Sequence, residues 1–183
     1  MKRRILVSQI ITLAVVIAAR PDSPRLFLAG FLLLLLGQTV RALSSAAIVK
    51  SKDLTTSGPY AAVRNPLYLG TSIMTLGMLC MLSSPRHGWL TLFIWIATLS
   101  CYCWIYVRQI RSEEEFLASV YGARFQEYRR SVPALLPRPG GLSHFFDFSA
   151  YSAEAFRKNK EWRGALAGLG LSAFILARIK YGF

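Results

Sequence analysis

Long apolar runs constrain this chain more than any other feature of its sequence. A helix needs about 20 mostly apolar residues to cross a bilayer. Five runs approach or reach that length: 5–19, 26–43, 66–83, 89–107 and 162–179. Only 17% of the 183 residues are charged, against about 25% in average soluble domains. The sequence therefore predicts an all-α integral membrane protein with about five transmembrane helices.

The first run, 5–19, is the shortest and follows a basic N-terminus, as the apolar part of a signal peptide does. No small-x-small cleavage site follows it, and a second apolar run begins soon afterwards, so a membrane span is favoured. Intrinsic disorder is excluded by the apolar content. A disulfide scaffold is excluded because the three cysteines are few and odd in number.

The net charge of +13 is explained by basic residues at the ends of the spans. With a cytoplasmic N-terminus, most Lys and Arg residues lie on the cytoplasmic side, in agreement with the positive-inside rule. A basic rim that faces anionic lipid accounts for the charge better than nucleic-acid binding does. We expect a multi-pass protein of the bacterial cytoplasmic membrane that binds membrane lipids and no nucleic acid.

The first polar segment reads LTTSGPYAAVRNPLYLG over residues 54–70. Asn65 and Pro66 predict a helix start, with Asn65 as its cap. Arg64 then lies beside a helix N-terminus, where an anion such as a carboxylate or phosphate is attracted. Gly70 leaves room for a ligand or a neighbouring helix. An alternative interpretation takes the segment's tyrosines as interfacial aromatics and Arg64 as a contact to lipid phosphates.

The second polar segment, 110–137, is rich in acidic residues at a place where an anionic membrane surface does not favour them. Glu113, Glu114 and Glu115 are three of the nine acidic residues of the chain. A helix through this segment places four apolar or aromatic residues on one face: Leu117, Tyr121, Phe125 and Tyr128. Two carboxylates continue that face and could hold a cationic amine. The alternative is a solvated helix whose glutamates are screened by nearby arginines.

Together the two segments resemble the paired motifs of the isoprenylcysteine carboxyl methyltransferase and phospholipid methyltransferase group, in the form of its bacterial members. The first resembles G-x-Y-x-x-x-R-[HN]-P-x-Y-x-G, here Gly58, Tyr60, Arg64, Asn65, Pro66, Tyr68 and Gly70. The second resembles E-E-x-x-L-x-x-x-[FY]-G-x-x-[FY]-x-x-Y…P, here Glu113, Glu114, Leu117, Tyr121, Gly122, Phe125, Tyr128 and Pro137.

The resemblance implies a membrane enzyme that uses S-adenosylmethionine in a pocket at the cytoplasmic face. Residues that would surround the cofactor are Tyr60, Arg64, Asn65, Pro66, Tyr68, Gly70, Glu113, Glu114 and Leu117. Eukaryotic protein-modifying members of the group carry His where this chain has Asn65. Because asparagine does not titrate near neutral pH, a role that needs an imidazole is not expected here.

The acceptor implied by the resemblance is lipophilic and enters laterally from the bilayer. Carboxyl O-methylation of an isoprenylcysteine-like acid is favoured, with Arg111 expected to orient the carboxylate and Arg64 as the second choice. The alternative is N-methylation of a phospholipid amine, for which Glu113 or Glu114 is the nearest base; with Arg111, Glu114 is therefore a candidate catalytic residue.

Two further interpretations stay open. Sterol-reductase-like enzymes that use NADPH carry related motifs, and a non-enzymatic scaffold would explain Gly164-x-x-x-Gly168 as a helix-packing motif. The chain is expected to form a single membrane domain, 1–183, with a helical hairpin (1–53), a methyltransferase-like core (54–137) and a C-terminal part (138–183). Its last helix could form a homodimer or seal the substrate groove. The stretch 140–163 is expected to lie on the membrane, with Phe145, Phe146, Phe148 and Tyr151 in lipid. No metal site is expected.

Overall fold

The structure, a computed structural model, describes residue 10, residues 12–48 and residues 53–182. Within this part of the chain there are helices and turns and no strand, which confirms the all-α prediction. We name the helices α1 (of which 10 and 12–18 are described), α2 (Pro24–Ala47), α3 (Pro59–Ala62), α4 (Pro66–Leu82), α5 (Gly88–Tyr121), α6 (Ala123–Ser131), α7 (Ala153–Asn159) and α8 (Trp162–Tyr181). Two 3₁₀ turns, Gly141–Phe146 and Phe148–Ala150, precede α7.

Three helical stretches are long and apolar enough to cross a membrane, against the five that the sequence predicted. They are Pro24–Ala47, Gly88–Ser131 and Trp162–Tyr181. Helix α4 is apolar but has only 17 residues, and most of the predicted span 5–19 lies outside the described residues. Large apolar side chains are exposed along the three long stretches, among them Leu28, Leu32, Phe93, Ile96, Leu166 and Phe174. A bilayer covers such surfaces, and the chain is therefore an all-α membrane protein.

Helix α5 carries the second polar segment on the same continuous helix as the fourth apolar run. Its 34 residues span about 50 Å at 1.5 Å per residue, well beyond a hydrocarbon core of about 30 Å. The prediction of one helix through Tyr128 is wrong at Gly122, whose φ of 52° ends α5 and starts α6. The predicted apolar face survives the break, because Phe125 and Tyr128 on α6 are buried with Leu54 and packed by Leu117 and Tyr121 of α5.

Helices α2 and α4 run antiparallel and approach each other at glycines. A Cβ atom on Gly37 would lie 2.6 Å from the carbonyl oxygen of Gly70, and one on Gly70 would lie 2.7 Å from that of Gly37. Gly30 and Gly77 make the equivalent contact seven residues, or about two helical turns, away. These distances leave no space for any side chain, so the glycines set the separation of the two helices. Gly70 therefore packs against α2, one of the two possibilities for this residue.

The C-terminal segment is fixed to the end of α2. The side-chain amide of Asn159 donates to the carbonyl of Ser45 at 2.8 Å, and the backbone N–H of Ser152 donates to that of Ala46 at 2.9 Å. These bonds satisfy carbonyl groups that the last turn of a helix leaves without partners. The 138–183 part thus packs against the same end of the bundle at which α4 begins.

The aromatic residues of this segment divide into two groups. Phe146 and Phe148 are exposed, as expected for a surface that contacts lipid. The prediction that Phe145 lies in lipid is wrong, because it is buried against Ala62 and Val63. Tyr151 is half-buried, and its hydroxyl donates to the carbonyl of Phe145 at 2.6 Å. The hydrophobicity of the stretch therefore serves internal packing as well as membrane contact.

Candidate functional site

The start of α4 and the polar part of α5 bring the two motifs into direct contact. The Arg64 guanidinium donates through Nε to Glu114 Oε1 at 2.9 Å, and both side chains are nearly buried, with 11% and 12% exposed. The amide of Asn65 donates to the same oxygen at 3.3 Å. Glu114 is thus held by two residues of the first motif, and its charge is compensated by Arg64.

Arg64 and Asn65 also hold the chain that follows α6. The backbone N–H groups of these residues donate to the carbonyls of Pro133 and Ala134 at 2.8 and 3.1 Å. The Arg64 guanidinium reaches the carbonyls of Arg129 and Val132. Asn65 occupies the N-cap position of α4, but the prediction that its side chain caps the helix is wrong. Its amide is directed instead to Ala134, at 3.1 Å, and to Glu114.

Glu113 has a different environment from its neighbour. Its Oε1 accepts hydrogen bonds from the Tyr68 hydroxyl at 2.7 Å and from the Gln109 amide at 2.8 Å. Both donors are neutral, and no Lys, Arg or His nitrogen in the described ranges lies within 4.0 Å of it. The two adjacent carboxylates therefore differ: Glu114 is neutralised by a cation and Glu113 is not.

Tyr60 and Tyr128 form a buried pair close to the two glutamates and Arg64. The Tyr128 hydroxyl donates to the carbonyl of Tyr60 at 2.6 Å. The Tyr60 hydroxyl is buried and has no hydrogen-bond partner among the residues described. Burial raises the pKa of the Tyr60 phenol above its ordinary value. A buried hydroxyl without a partner is costly unless a ligand or water completes it.

The Tyr128 bond gives a prediction about stability. Replacing Tyr128 by phenylalanine should lower the free energy of unfolding by about 1–3 kcal/mol, because the carbonyl of Tyr60 then stays buried without a donor. Thermal unfolding of the purified protein measures the loss. Tyr121→Phe is the matched control, since Tyr121 packs in the same cluster and should change stability little. Equal unfolding temperatures for the two variants would contradict the prediction.

Three residues of α5 join the cluster although the motifs did not include them. The Tyr106 ring meets the Tyr68 ring edge-on at 5.2 Å between centroids and stacks on the Tyr102 ring at 4.1 Å. Gln109 completes the row. The spacing of Tyr102, Tyr106, Gln109 and Glu113 is that of one helix face, and this periodicity is the signal in the sequence that could have identified them.

The remaining predicted site residues lie at the edge of this arrangement or outside it. Pro66 is buried at the first position of α4, and Leu117 packs against the Leu54 cluster. Arg111 is exposed on α5, one turn before Glu114. No hydrogen bond or ion pair joins Arg111 to the cluster within the part of the chain that is described. The proposed roles of these residues stay predictions.

An apolar cavity of about 390 Å³ adjoins the cluster on the membrane side. Residues from α1, α2, α4, α5 and α8 line it, and Tyr102 and Tyr106 belong both to its wall and to the aromatic row beside Glu113. Gly164 and Gly168 of α8 also line it. Two small residues of the last helix therefore form part of the cavity wall.

Several curated proteins are similar to this chain over part of their length. The cobalt-zinc-cadmium resistance protein CzcN of Cupriavidus metallidurans is 31% identical over 126 residues, which are 69% of this chain and 53% of that protein. The protein-S-isoprenylcysteine O-methyltransferase of Schizosaccharomyces pombe is 31% identical over 102 residues, 55% of this chain and 40% of that enzyme. The nickel-cobalt-cadmium resistance protein NccN of Alcaligenes xylosoxydans xylosoxydans is 33% identical over 112 residues, which are 60% of this chain and 47% of that protein.

The chain spans about half the length of the curated relatives that it matches. No solved structure is significantly similar to it. Although two of the relatives are named for metal resistance, the described residues contain no group of three or more His, Cys, Asp or Glu that could hold a metal ion.

The family match agrees with the site that the geometry defines. The sequence profile of the phospholipid methyltransferase family matches residues 26–124, more than half of the chain. That stretch contains most of α2 and all of α4 and α5, and with them the contacts between Arg64, Asn65, Tyr68 and the two glutamates. The chain therefore belongs to the phospholipid methyltransferase family.

Proposed function

We propose that the chain is an S-adenosylmethionine-dependent methyltransferase that acts on a lipophilic acceptor within the membrane. The observation that carries this proposal is the environment of Glu113. Its carboxylate is held by neutral donors and faces no cation of the described chain, while the adjacent Glu114 is paired with Arg64. A half-buried carboxylate in this state favours a cationic ligand.

The residues present fit the cofactor that the family implies. When bound, S-adenosylmethionine supplies a methyl group on a cationic sulfur, and the acceptor's lone pair forms the new bond while the sulfur–methyl electron pair stays on sulfur. Glu113 would hold the α-amino group or the positive charge of the ligand. The Tyr60 hydroxyl, which has no partner in the described chain, would supply a hydrogen bond. The Tyr68 and Tyr106 rings offer surfaces for an adenine.

Carboxyl O-methylation of an apolar acid is the reaction that we favour. A carboxylate is ionised at neutral pH and needs no base, so the chain's residues have only to align it and to exclude water. N-methylation of a phospholipid amine would need a base. Glu114 already binds Arg64 and Asn65, so Glu113 would be the base for that reaction.

The cavity and the last helix support a lipophilic acceptor. The cavity of about 390 Å³ is lined mainly by apolar side chains and lies at the depth of the membrane-spanning helices. An apolar tail that enters from the bilayer would fill it. We propose that α8 seals this groove, with Gly164 and Gly168 giving the tail space. The N-terminus is proposed to be cytoplasmic, in a bacterial cytoplasmic membrane.

The proposal is tested by the binding of S-adenosylhomocysteine to the detergent-solubilised protein, measured by titration calorimetry. We expect saturable binding, and a loss of about 10- to 100-fold in affinity for Glu113→Gln, because one charge-assisted contact is removed. Glu115→Gln is the matched control, since Glu115 is exposed on the same helix turn, and its affinity should stay within about threefold of the wild type.

NADPH serves as the second ligand in the same titration. Binding of NADPH in place of S-adenosylhomocysteine would overturn the proposal in favour of a reductase. Binding of neither by folded protein would favour a non-enzymatic membrane role. If S-adenosylhomocysteine binds, methyl transfer from labelled cofactor to apolar acids and to phosphatidylethanolamine then distinguishes O- from N-methylation.

A further inference from the structure

A second charged cluster joins α2 to the start of α8 and makes no hydrogen bond to the glutamates described above. The guanidinium of Arg41 binds the carboxylate of Glu161 through two nitrogens: Nε to Oε2 at 3.1 Å, and Nη2 to Oε1 and Oε2 at 2.9 and 3.0 Å. Only 27% of the Arg41 side chain and 14% of the Glu161 side chain are exposed. The chain therefore contains a half-buried guanidinium that binds a carboxylate of the chain itself.

This cluster adjoins both the apolar cavity and the first motif of the candidate cofactor site. Arg41 Nη1 donates to the Thr71 hydroxyl at 2.6 Å, and Thr71 lines the cavity. On the other side, Arg41 packs against Gly70, the last residue of the first motif: a Cβ atom on Gly70 would lie 2.6 Å from Arg41 Cγ. An acid whose tail occupies the cavity would therefore place its carboxylate beside Arg41, at the end of the cavity that faces the polar site.

A second polar atom at the same place has no partner. Gln38 lies one turn before Arg41, and its Nε2 donates to the Glu161 carbonyl at 3.4 Å. Its Oε1 is buried and has no hydrogen-bond partner among the residues that the structure describes. That oxygen can accept a hydrogen bond from an N–H or O–H group next to the carboxylate of a ligand.

The position of Glu161 allows its side chain to dissociate from Arg41. It stands at the N-cap position of α8, and its side chain makes no capping hydrogen bond there. Lys160, directly before it, has a φ of 54° and is the one non-glycine residue with positive φ in the described ranges. Lys160 is also exposed. A Glu161 side chain released from Arg41 would lie beside this cation at the surface and would not stay buried without a partner.

We propose that Arg41 binds the carboxylate of the methyl acceptor and that Glu161 is an internal substitute for it, which the substrate displaces. This inference rests on the proposed function and names Arg41, in place of Arg111, as the cation that selects an acidic acceptor. Arg41 is a binding residue under this proposal, and Glu161 sets its availability. A guanidinium that already binds one carboxylate through two nitrogens has the geometry to bind another.

The test uses a lipid that differs only in charge. Stearic acid with a spin label near its methyl end, and the methyl ester of the same molecule, are added to the full chain in phosphatidylcholine vesicles at alkaline pH. Electron paramagnetic resonance measures the fraction of label that the protein immobilises, which requires neither cofactor nor turnover. We expect the acid to bind about tenfold more strongly than the ester.

Variants assign the preference to the proposed pair. Arg41→Gln should remove the preference for the acid, and Arg41→Lys should restore only part of it, because lysine keeps the charge without the two-nitrogen geometry. Glu161→Gln should increase binding of the acid by about threefold or more, because the competing charge is gone. Arg163→Gln, a nearby exposed arginine, should leave the preference unchanged.

The result distinguishes this inference from the proposed function. Equal binding of acid and ester, or a loss as large in Arg163→Gln as in Arg41→Gln, overturns the inference even if S-adenosylhomocysteine binds. Weaker binding of the acid by Glu161→Gln also overturns it. A preference for the acid that depends on Arg41, in a protein that fails to bind S-adenosylhomocysteine, supports the carboxylate site and contradicts the methyltransferase proposal.

Discussion

Replacement of Arg64 by lysine should weaken S-adenosylhomocysteine binding by about 100-fold or more and should destabilise the protein even without ligand. Arg64 makes one hydrogen bond to Glu114 and reaches two backbone carbonyls at the end of α6. Each hydrogen bond of a charged group contributes about 1.5–3 kcal/mol. A lysine ammonium keeps the charge but cannot reach all three acceptors from one point. Glu114 would then lose its alignment next to Glu113.

The measurement is paired calorimetry of ligand binding and thermal unfolding for Arg64→Lys and for Arg129→Lys. Arg129 also approaches Glu114, at 3.7 Å, but its side chain is 55% exposed, so its exchange for lysine should change either quantity little. If Arg64→Lys bound the ligand within about threefold of the wild type, Arg64 would not organise the site as we describe.

Gly37→Val should have the second large effect, a loss of about 3 kcal/mol or more in stability. Its side chain would meet the Gly70 carbonyl and the backbone of Met74, neither of which can move without separating α2 from α4. Overpacking that displaces side chains alone costs about 1–3 kcal/mol, and a clash with backbone costs more. Because α4 carries Asn65 and Tyr68 at its start, we also expect the site to lose its ligand affinity.

The matched control is Gly170→Val on α8, where an added Cβ meets nothing within 4 Å. Both substitutions add the same side chain to an apolar helix, so their difference isolates the contact between α2 and α4. Thermal unfolding in the same detergent provides the comparison. Unfolding temperatures that agree within error would show that the glycines do not fix the separation of these helices.

The contact between the two polar segments could be predicted from the sequence. Which of the two glutamates pairs with Arg64 could not. The motifs indicated that Arg64, Asn65 and Tyr68 approach Glu113 and Glu114. Successive residues on a helix point about 100° apart. Which glutamate meets the arginine therefore depends on the rotation of α5 relative to α4, a quantity that packing determines.

The ends of elements were predicted less well than their existence, for physical reasons. Hydropathy falls at Arg108, which indicates that the chain leaves the membrane, but nothing there stops a helix. The stop comes at Gly122, where a positive φ ends α5. The burial of Phe145 could not be predicted from the sequence either. An apolar ring in an interfacial stretch can face lipid or the protein, and only the position of Ala62 and Val63 decides between them.

Because α5 is continuous, bilayer thickness should affect the position of the candidate site. The apolar run from Trp89 and the carboxylate of Glu113 belong to one rod, and each residue advances it by about 1.5 Å. The height of Glu113 above the hydrocarbon is thereby fixed by residue count and by helix tilt. Longer acyl chains, which make the hydrocarbon core thicker than the apolar part of α5, would draw Glu113 toward that core. Shorter chains would tilt α5 or leave the rings of Tyr102 and Tyr106 in water. We therefore expect lipid length to change the solvation of Glu113 without any change in the protein.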